Sequence, residues 1–439
     1  MVYPYGMRLA LSNRKSQLFN TLIQALVVAV KATGMAAFLV SAVSGETSHR
    51  VGLADNRDGY DSEHYVTQSE AILERAGRPL ALTSKTHATQ LGLPELTKPL
   101  RATEVDLGRQ LFFDRRLSAN ANLSCAMCHV PEQGFTQNEL ATPVGDEGRG
   151  GRRNAPALYN LAFQPTLFWD GREQSLEAQV WSPLLARNEM ANPSKAAVLT
   201  RLQTIPAYRT AFTNNYEEGL TAETLGLALA AYQRALLSGN SPFDRWYFAA
   251  AKSSDPSPDF SLEASRGFAV FQEQGCHSCH TLTEDYALFT DGNFHNTGTG
   301  LLREERGIMP KKVQVAPGIF VTPRVDVETE TFIDKGRQEV TGLRRDRWRY
   351  RTPSLRNVAL TAPYMHDGSI QSLEEVVQFY VQGGGQDPDQ DQRIRPLQIT
   401  STDQAALVAF LRALTGSNVD ALVADARSIK IGDTASAGH

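Results

Sequence analysis

Cys125-Ala-Met-Cys128-His129 and Cys276-His-Ser-Cys279-His280 use all four cysteines of a 439-residue chain. In C-x-x-C-H the two sulfurs lie about one helical turn apart, so both can form thioethers to one haem while the following histidine ligates its iron. The pair of pentapeptides therefore reads as two covalently bound haems c. The rival reading of C-x-x-C is a zinc or dithiol site. A histidine directly after the second cysteine, twice, with no cysteine left over, favours haem. Haem c is attached outside the cytoplasm, where cysteines would otherwise be free to form crosslinks.

The N-terminus agrees with export. Arg8, Arg14 and Lys15 precede an apolar stretch from Leu18 to Val43 that ends among the small residues Ser41, Ala42, Ser44 and Gly45, which predicts a leader over 1–45. Lys31 interrupts the stretch, favouring a signal peptide over the rival, an uncleaved membrane anchor. The mature chain is expected to be periplasmic, with membrane contact only if the leader is retained. A composition of 41% hydrophobic and 21% charged residues with a net charge of -4 describes an ordinary globular protein without a nucleic-acid footprint.

One haem motif in each half predicts an all-α chain of two cytochrome-c-like haem domains with short irregular or β-ribbon insertions. The expected organisation is an extension at 46–102, a first haem domain at 103–252, a second at 253–416 and a tail at 417–439. The seam is placed in the Pro-, Ser- and Asp-rich run Ser253–Phe260. Thr221 to Leu237 and Leu262 to Gln274 keep helical apolar faces, the latter leading into the second motif. Ser372 with Glu375, and Ser401 with Gln404, have capping-box spacing, the second before a helix ending near Gly416. Val325 to Thr331 alternates weakly within a charged stretch from about 303 to 350, read as a long connection or short ribbon. No short-period repeat or low-complexity tract stands out.

The sixth ligand decides whether a haem iron binds small molecules or only moves electrons. No histidine occurs between His129 and His277, so no nearby histidine closes the far side of the first haem. An open first iron is the expected site for peroxide.

The chain resembles the bacterial di-haem cytochrome c peroxidases and their relatives of the MauG type. The resemblance runs from about Leu107 to Leu414. Besides the haem motifs it rests on Leu111-Phe-Phe-Asp-Arg-Arg-Leu117, Arg153-Asn-Ala-Pro156, Phe168-Trp-Asp-Gly-Arg172 and Thr352-Pro-Ser-Leu-Arg-Asn-Val-Ala-Leu-Thr-Ala-Pro-Tyr-Met-His-Asp-Gly368. It implies a peroxide pocket of Gln179, Pro183 and Glu189. Glu189 would act as acid and base, Gln179 would orient the bound oxygen species and Pro183 would shape the pocket. It also implies Trp169 as an electron relay between the haems, and a calcium ion held by Asn154, Thr361 and Pro363. Without the resemblance, Glu189 reads as a solvated helix-face residue, Trp169 as a core aromatic, and the calcium set as turn and loop.

Tyr380 is the informative departure. Typical peroxidases of the family have a methionine there that ligates the second iron, whereas MauG-type enzymes have a tyrosine. A thioether is soft and favours ferrous iron; a phenolate is hard and favours higher oxidation states, so both haems could share the oxidising equivalents of peroxide. Met309 and Met365 compete for the same role, and His366 matches a family histidine near the second haem. Where many family peroxidases carry a histidine over the first haem, this chain reads Val144-Gly-Asp-Glu-Gly148. The resemblance thus implies a peroxide-activated oxidase of MauG type acting on an aromatic residue of a partner protein, tryptophan above all, as in the MauG and MbnH groups. The alternative is a peroxidase drawing electrons from a small cytochrome or cupredoxin. A non-enzymatic two-haem electron carrier is the third reading, and it requires both irons to be closed.

Overall fold

The computed structural model describes residues 90–250, 259–306, 313–316, 319–321 and 334–428. The leader, Met309, the Val325–Thr331 run and most of the expected seam lie outside them. The described chain is mostly helical: α1 (Ala102–Phe113), α2 (Leu176–Gln179), α3 (Trp181–Leu185), α4 (Lys195–Gln203), α5 (Pro206–Asn215), α6 (Ala222–Ala235), α7 (Pro242–Ala250), α8 (Leu262–Glu273), α9 (Thr299–Arg306), α10 (Gln338–Thr341), α11 (Leu373–Val381), α12 (Ser401–Arg412) and α13 (Val419–Arg427). Strand among these residues is confined to two antiparallel pairs. β1 (Phe294–His295) pairs with β4 (Tyr350–Arg351), and β2 (Val313–Ala316) with β3 (Ile319–Val321), the short ribbon within the charged stretch.

Helix starts follow local chemistry. Thr221 and Thr224 exchange side-chain and backbone hydrogen bonds at the start of α6, and Ser372 and Glu375 do the same at α11, each satisfying amides that the first turn leaves unpaired. The start of α12 differs from expectation by one residue. The Thr400 hydroxyl accepts from the Asp403 amide at 3.1 Å and the Asp403 carboxylate accepts from the Thr400 amide at 3.3 Å, so the box is Thr400 with Asp403, and the helix ends at Arg412 rather than near Gly416.

Two large apolar clusters form among the described residues, and they are built alike. In the first, α1 crosses α6 with Gly108 against Ala228, where a Cβ would lie 1.9 Å from the carbonyl oxygen, and Phe112 meets Tyr232 edge to face at 5.1 Å. In the second, α8 crosses α12 with Gly267 against Ala406 at the same 1.9 Å, and Phe271 meets Phe410 at 5.1 Å. Any side chain at either glycine would force the helices apart.

The likeness extends to a repeat that the sequence reading did not register. Pro156, Leu158, Asn160, Ala162, Asp170, Gly171, Ser175, Leu176 and Val180 recur at one constant separation as Pro353, Leu355, Asn357, Ala359, Asp367, Gly368, Ser372, Leu373 and Val377. The backbone recurs with them. Asn160 and Asn357 have φ of 61° and 59°, Phe168 and Met365 64° and 69°, Gly171 and Gly368 66° and 64°. Each asparagine is buried and holds the exit of its half's long helix: Asn160 N–H donates to Leu236 O and Asn357 N–H to Leu414 O, while their side-chain oxygens accept from the Ser238 and Gly416 amides.

Two segments cross between the clusters. Residues 90–93, the end of the extension, lie on the second: Leu91 packs there and Gly92 O accepts from the Ala287 amide at 3.0 Å. In the segment left unassigned after Gly416, α13 returns to the first cluster, burying Leu422 and Ala426 there. Asp425 pairs with Arg109, and Arg427 makes a bidentate pair at 2.7 Å with Glu132, three residues after His129.

Candidate active site

Each C-x-x-C-H forms a tight turn, in which the histidine amide donates to the first cysteine's carbonyl at 3.0 Å, for both His129 and His280. The rings are fixed alike. His129 Nδ1 bonds Phe135 O at 3.0 Å and His280 Nδ1 bonds Phe289 O at 2.9 Å, which leaves Nε2 for a metal. Burial lowers the pKa of His129 to about 4 and lowers that of His280, so both rings are neutral, as an iron ligand must be. Burial also raises the Cys125 and Cys128 thiols to about 12 and Cys276 to about 11.

Both motifs open onto cavities. The first, about 80 Å³, is lined by Cys125, Cys128, His129, Gln179, Pro183 and Glu189, so the predicted peroxide pocket and the first motif share one space. The second, about 310 Å³, is lined by Cys276, Cys279, His280, Tyr380, Trp169, Asn154, Thr361 and Pro363. Each wall is mainly apolar, with a neutral imidazole and two cysteines on one side, which fits a haem held by that turn. A zinc site does not fit. The described residues hold one cluster of three potential ligands, Cys279, Asp291 and His295, and there His295 is already bonded to Asp291 at 2.9 Å and Asp391 at 2.8 Å.

Gln179 and Pro183 lie four residues apart across the junction of α2 and α3, hence on one helical face. Pro183 is in the first turn of α3, where its missing N–H costs nothing. Glu189 sits in the turn that follows. Burial raises its pKa and the Arg172 charge opposes this. The Val144–Gly148 loop presses on that turn: Asp146 N–H donates to Glu189 O at 2.8 Å, and a Cβ on Gly145 would fall 2.2 Å from Asn188 O. This loop thus contributes to the first cavity a residue with no side chain. His129 is the one histidine on its wall.

The repeat relates one wall position of the first cavity to one of the second. Pro183 and Tyr380 stand at matched positions, eight residues beyond the matched helix caps Ser175 and Ser372, and each lines its own cavity. The first cavity receives a ring without a donor atom there, the second a phenol. Burial, with the Cys276 and Cys279 thiols, raises the Tyr380 pKa. Met365 lines the second cavity too, at the position matched by Phe168 in the first half.

Trp169 lines the second cavity only, and its indole donates to Asn154 O at 2.9 Å. Segment 154–161 is a wall shared by both cavities, with Leu158 facing the first and Pro156 and Tyr159 the second. His366, the repeat partner of Trp169, receives at its carbonyl the Asn154 amide at 2.7 Å. For calcium, Asn154 Nδ2 donates to Ala141 O at 3.0 Å, which leaves its amide oxygen without a hydrogen bond among the described residues. An orphan amide oxygen beside Thr361 and Pro363 on one wall fits a hard cation.

Sequence reasoning missed Gln233, a buried residue of α6 that lines the first cavity. A glutamine among leucines and alanines on a helix's apolar face was the signal available.

Over residues 102–252 the chain matches the family described as di-haem cytochrome c peroxidase. It is 36% identical over 319 residues to methylamine utilization protein MauG of Methylorubrum extorquens, covering 72% of this chain and 79% of that protein. It is equally 36% identical over 333 residues to cytochrome-c peroxidase IdrP1 of Denitromonas iodatirespirans, covering 72% and 82%. Among solved structures, a MauG-like protein associated with microbial copper homeostasis aligns with a TM-score of 0.60 at 28% identity, over 79% of this chain and 97% of that one. The diheme peroxidase BthA of Burkholderia thailandensis aligns at 0.57 and 26% identity, over 72% and 87%.

Proposed function

The chain belongs to the family of di-haem cytochrome c peroxidases and MauG proteins, oxidoreductases acting with peroxide, and we propose that within it this protein is a periplasmic oxidase of the MauG type. It would hold two haems c in two cytochrome-c-like domains, one on Cys125, Cys128 and His129 and the other on Cys276, Cys279 and His280. Bound there, the haems would supply the iron at which peroxide is cleaved and a store for its two oxidising equivalents. Activated in this way, the enzyme would oxidise an aromatic residue, tryptophan above all, of a partner protein.

The observation that carries this reading is the pairing of Pro183 with Tyr380. Matched positions put a proline ring, which has no ligating atom, on the wall of the first cavity and a phenol on the wall of the second. Glu189 takes the proton from the nearer oxygen of peroxide and delivers it to the leaving one. Gln179 orients the oxygen species, and Trp169, held by its bond to Asn154 O, relays electrons along the shared wall. Asn154, Thr361 and Pro363 would hold one calcium ion between the halves.

Met365, on the same wall as Tyr380, supports a second reading, a peroxidase fed by a small cytochrome or cupredoxin. The test is to titrate the ferric di-haem protein with one equivalent of peroxide while following Soret and near-infrared absorption and iron spin state. A high-spin first haem, a low-spin second haem, and a long-lived state two electrons above ferric are expected, with the low-spin signal lost in Tyr380→Phe. No reaction until one haem is prereduced, or a low-spin signal lost in Met365→Leu instead, refutes the MauG-type reading.

A further inference from the structure

The chain is acidic as a whole, at -4, yet residues 335–349 contain six basic and two acidic side chains. Two of the six are engaged within the fold. Arg337 donates to Asp170 O and Gly171 O, and Arg347 pairs with Glu304 at 3.0 Å. Arg344 and Arg345 are exposed and have no ion-pair partner among the described residues. Beside them Val340 and Leu343 are 41% and 43% exposed, two of the three large apolar side chains exposed among the described residues. Two exposed apolar side chains beside two unpaired arginines suit an acidic protein surface with an apolar centre.

The same segment then supplies buried aromatic side chains two residues apart, Trp348 and Tyr350. Trp348 is 8% exposed, with the Arg347 guanidinium 4.1 Å over its ring and its indole nitrogen unbonded. It packs on Gly300, where a Cβ would lie 2.3 Å from the ring. The neighbouring Thr299 reaches His366 Nδ1 at 3.4 Å. Two residues beyond Trp348, Tyr350 stacks on His366 with centroids 3.7 Å apart and planes 13° apart. Tyr350 and His366 both line the second cavity, and His366 holds the place that the repeat gives to Trp169 in the first half.

We propose that the face formed by Val340, Leu343, Arg344 and Arg345 docks an acidic partner protein, and that Trp348, then stacked Tyr350 and His366, carry electrons from the partner's aromatic side chain to the second cavity. This rests on the MauG-type reading above. Each of two transfers removes one electron from the partner, the accompanying proton leaving to solvent. One hydrogen peroxide takes up the two electrons and two protons and becomes two waters.

The test uses the holoprotein, peroxide and a glutamate–tyrosine copolymer as the acidic probe, with a lysine–tyrosine copolymer as control. Joining two tyrosines removes two electrons and two protons, so one dityrosine per peroxide is expected from the acidic copolymer, falling with added salt. Without copolymer, a nitroso spin trap should attach at Trp348, located by tandem mass spectrometry. Trp348→Phe should lose that adduct and at least tenfold of the dityrosine yield while the oxidised absorbing state still forms and lives longer, and Trp348→Tyr should restore part of the yield. Arg344→Glu with Arg345→Glu should abolish the preference for the acidic copolymer without slowing formation of that state. Dityrosine yields within twofold of wild type in either the Trp348→Phe or the double-arginine variant overturn the proposal while leaving the MauG-type reading intact. A ferric protein that does not react with peroxide overturns both.

Discussion

Replacing Glu189 by glutamine keeps the size and hydrogen-bonding capacity of the side chain and removes its ability to exchange a proton. Among the described residues the other titratable groups on the first cavity are Cys125, Cys128 and His129, all three assigned to holding the haem, so none of these substitutes as acid or base. The whole contribution of positioned proton transfer should then be lost, about 10²- to 10⁴-fold in rate, or about 3 to 5 kcal/mol of barrier. A pH signature goes with it. The carboxylate is the form that accepts the first proton, and burial places its pKa above the ordinary 4.5. The wild-type rate should therefore fall as pH drops through that raised value, and the variant should be flat over the same range. Stopped-flow Soret absorption after mixing ferric protein with peroxide measures both. A rate within threefold of wild type, or an unchanged pH profile, would refute the assignment of Glu189 as acid and base.

Cys125→Ala combined with Cys128→Ala should reduce the mass of the denatured chain by one haem while keeping the second; loss of neither haem would exclude thioether attachment at the first motif. Leu422→Ala, which empties a buried site under α13, should cost about 2 to 5 kcal/mol in urea unfolding, and a loss below about 1 kcal/mol on the same scale would mean the C-terminal helix is peripheral. Arg153 donates to Asp334 at 2.7 Å from two nitrogens and also pairs with Asp170. Burial opposes ionisation of Asp334, yet the Arg153 bonds and charge hold its carboxyl well below the usual range. The stability this contributes is fully present above the unfolded carboxylate pKa of about 3.9 and is lost as pH falls through the depressed folded value. Arg153→Met should destabilise by about 3 to 5 kcal/mol at pH 7, and the deficit should shrink as Asp334 protonates in acid. A pH-independent deficit would assign the loss to packing instead.

Much of the candidate site was legible because its chemistry is local. C-x-x-C-H places three groups on one turn by covalent spacing alone, whereas Gln179, Pro183 and Glu189 were legible only through the family resemblance. The capping pair at Ser372 acts across three residues and reads as well as the haem turns, whereas Ser401 was mistaken for Thr400 because adjacent hydroxyl residues compete for one cap, and the pair at Thr221 went unread. The repeat linking Pro156–Pro183 to Pro353–Tyr380 was present in the letters but masked by unequal insertions elsewhere. It became plain only when matching residues adopted matching left-handed backbone conformations.

By itself the sequence determined the haem-binding turns and the helical class, since each depends on groups within a few bonds or one helical turn, while the residues expected to meet peroxide and the second iron came from the family resemblance. Tertiary structure alone decided that Glu189 shares a cavity with His129, that the Val144–Gly148 loop adds to that cavity only the side-chain-free Gly145, that Trp169 and His366 meet at Asn154, and that α13 returns to the first cluster. Those outcomes depend on contacts between residues tens to hundreds of positions apart. Such contacts are set by how apolar faces close and buried polar groups find partners, which no local pattern encodes.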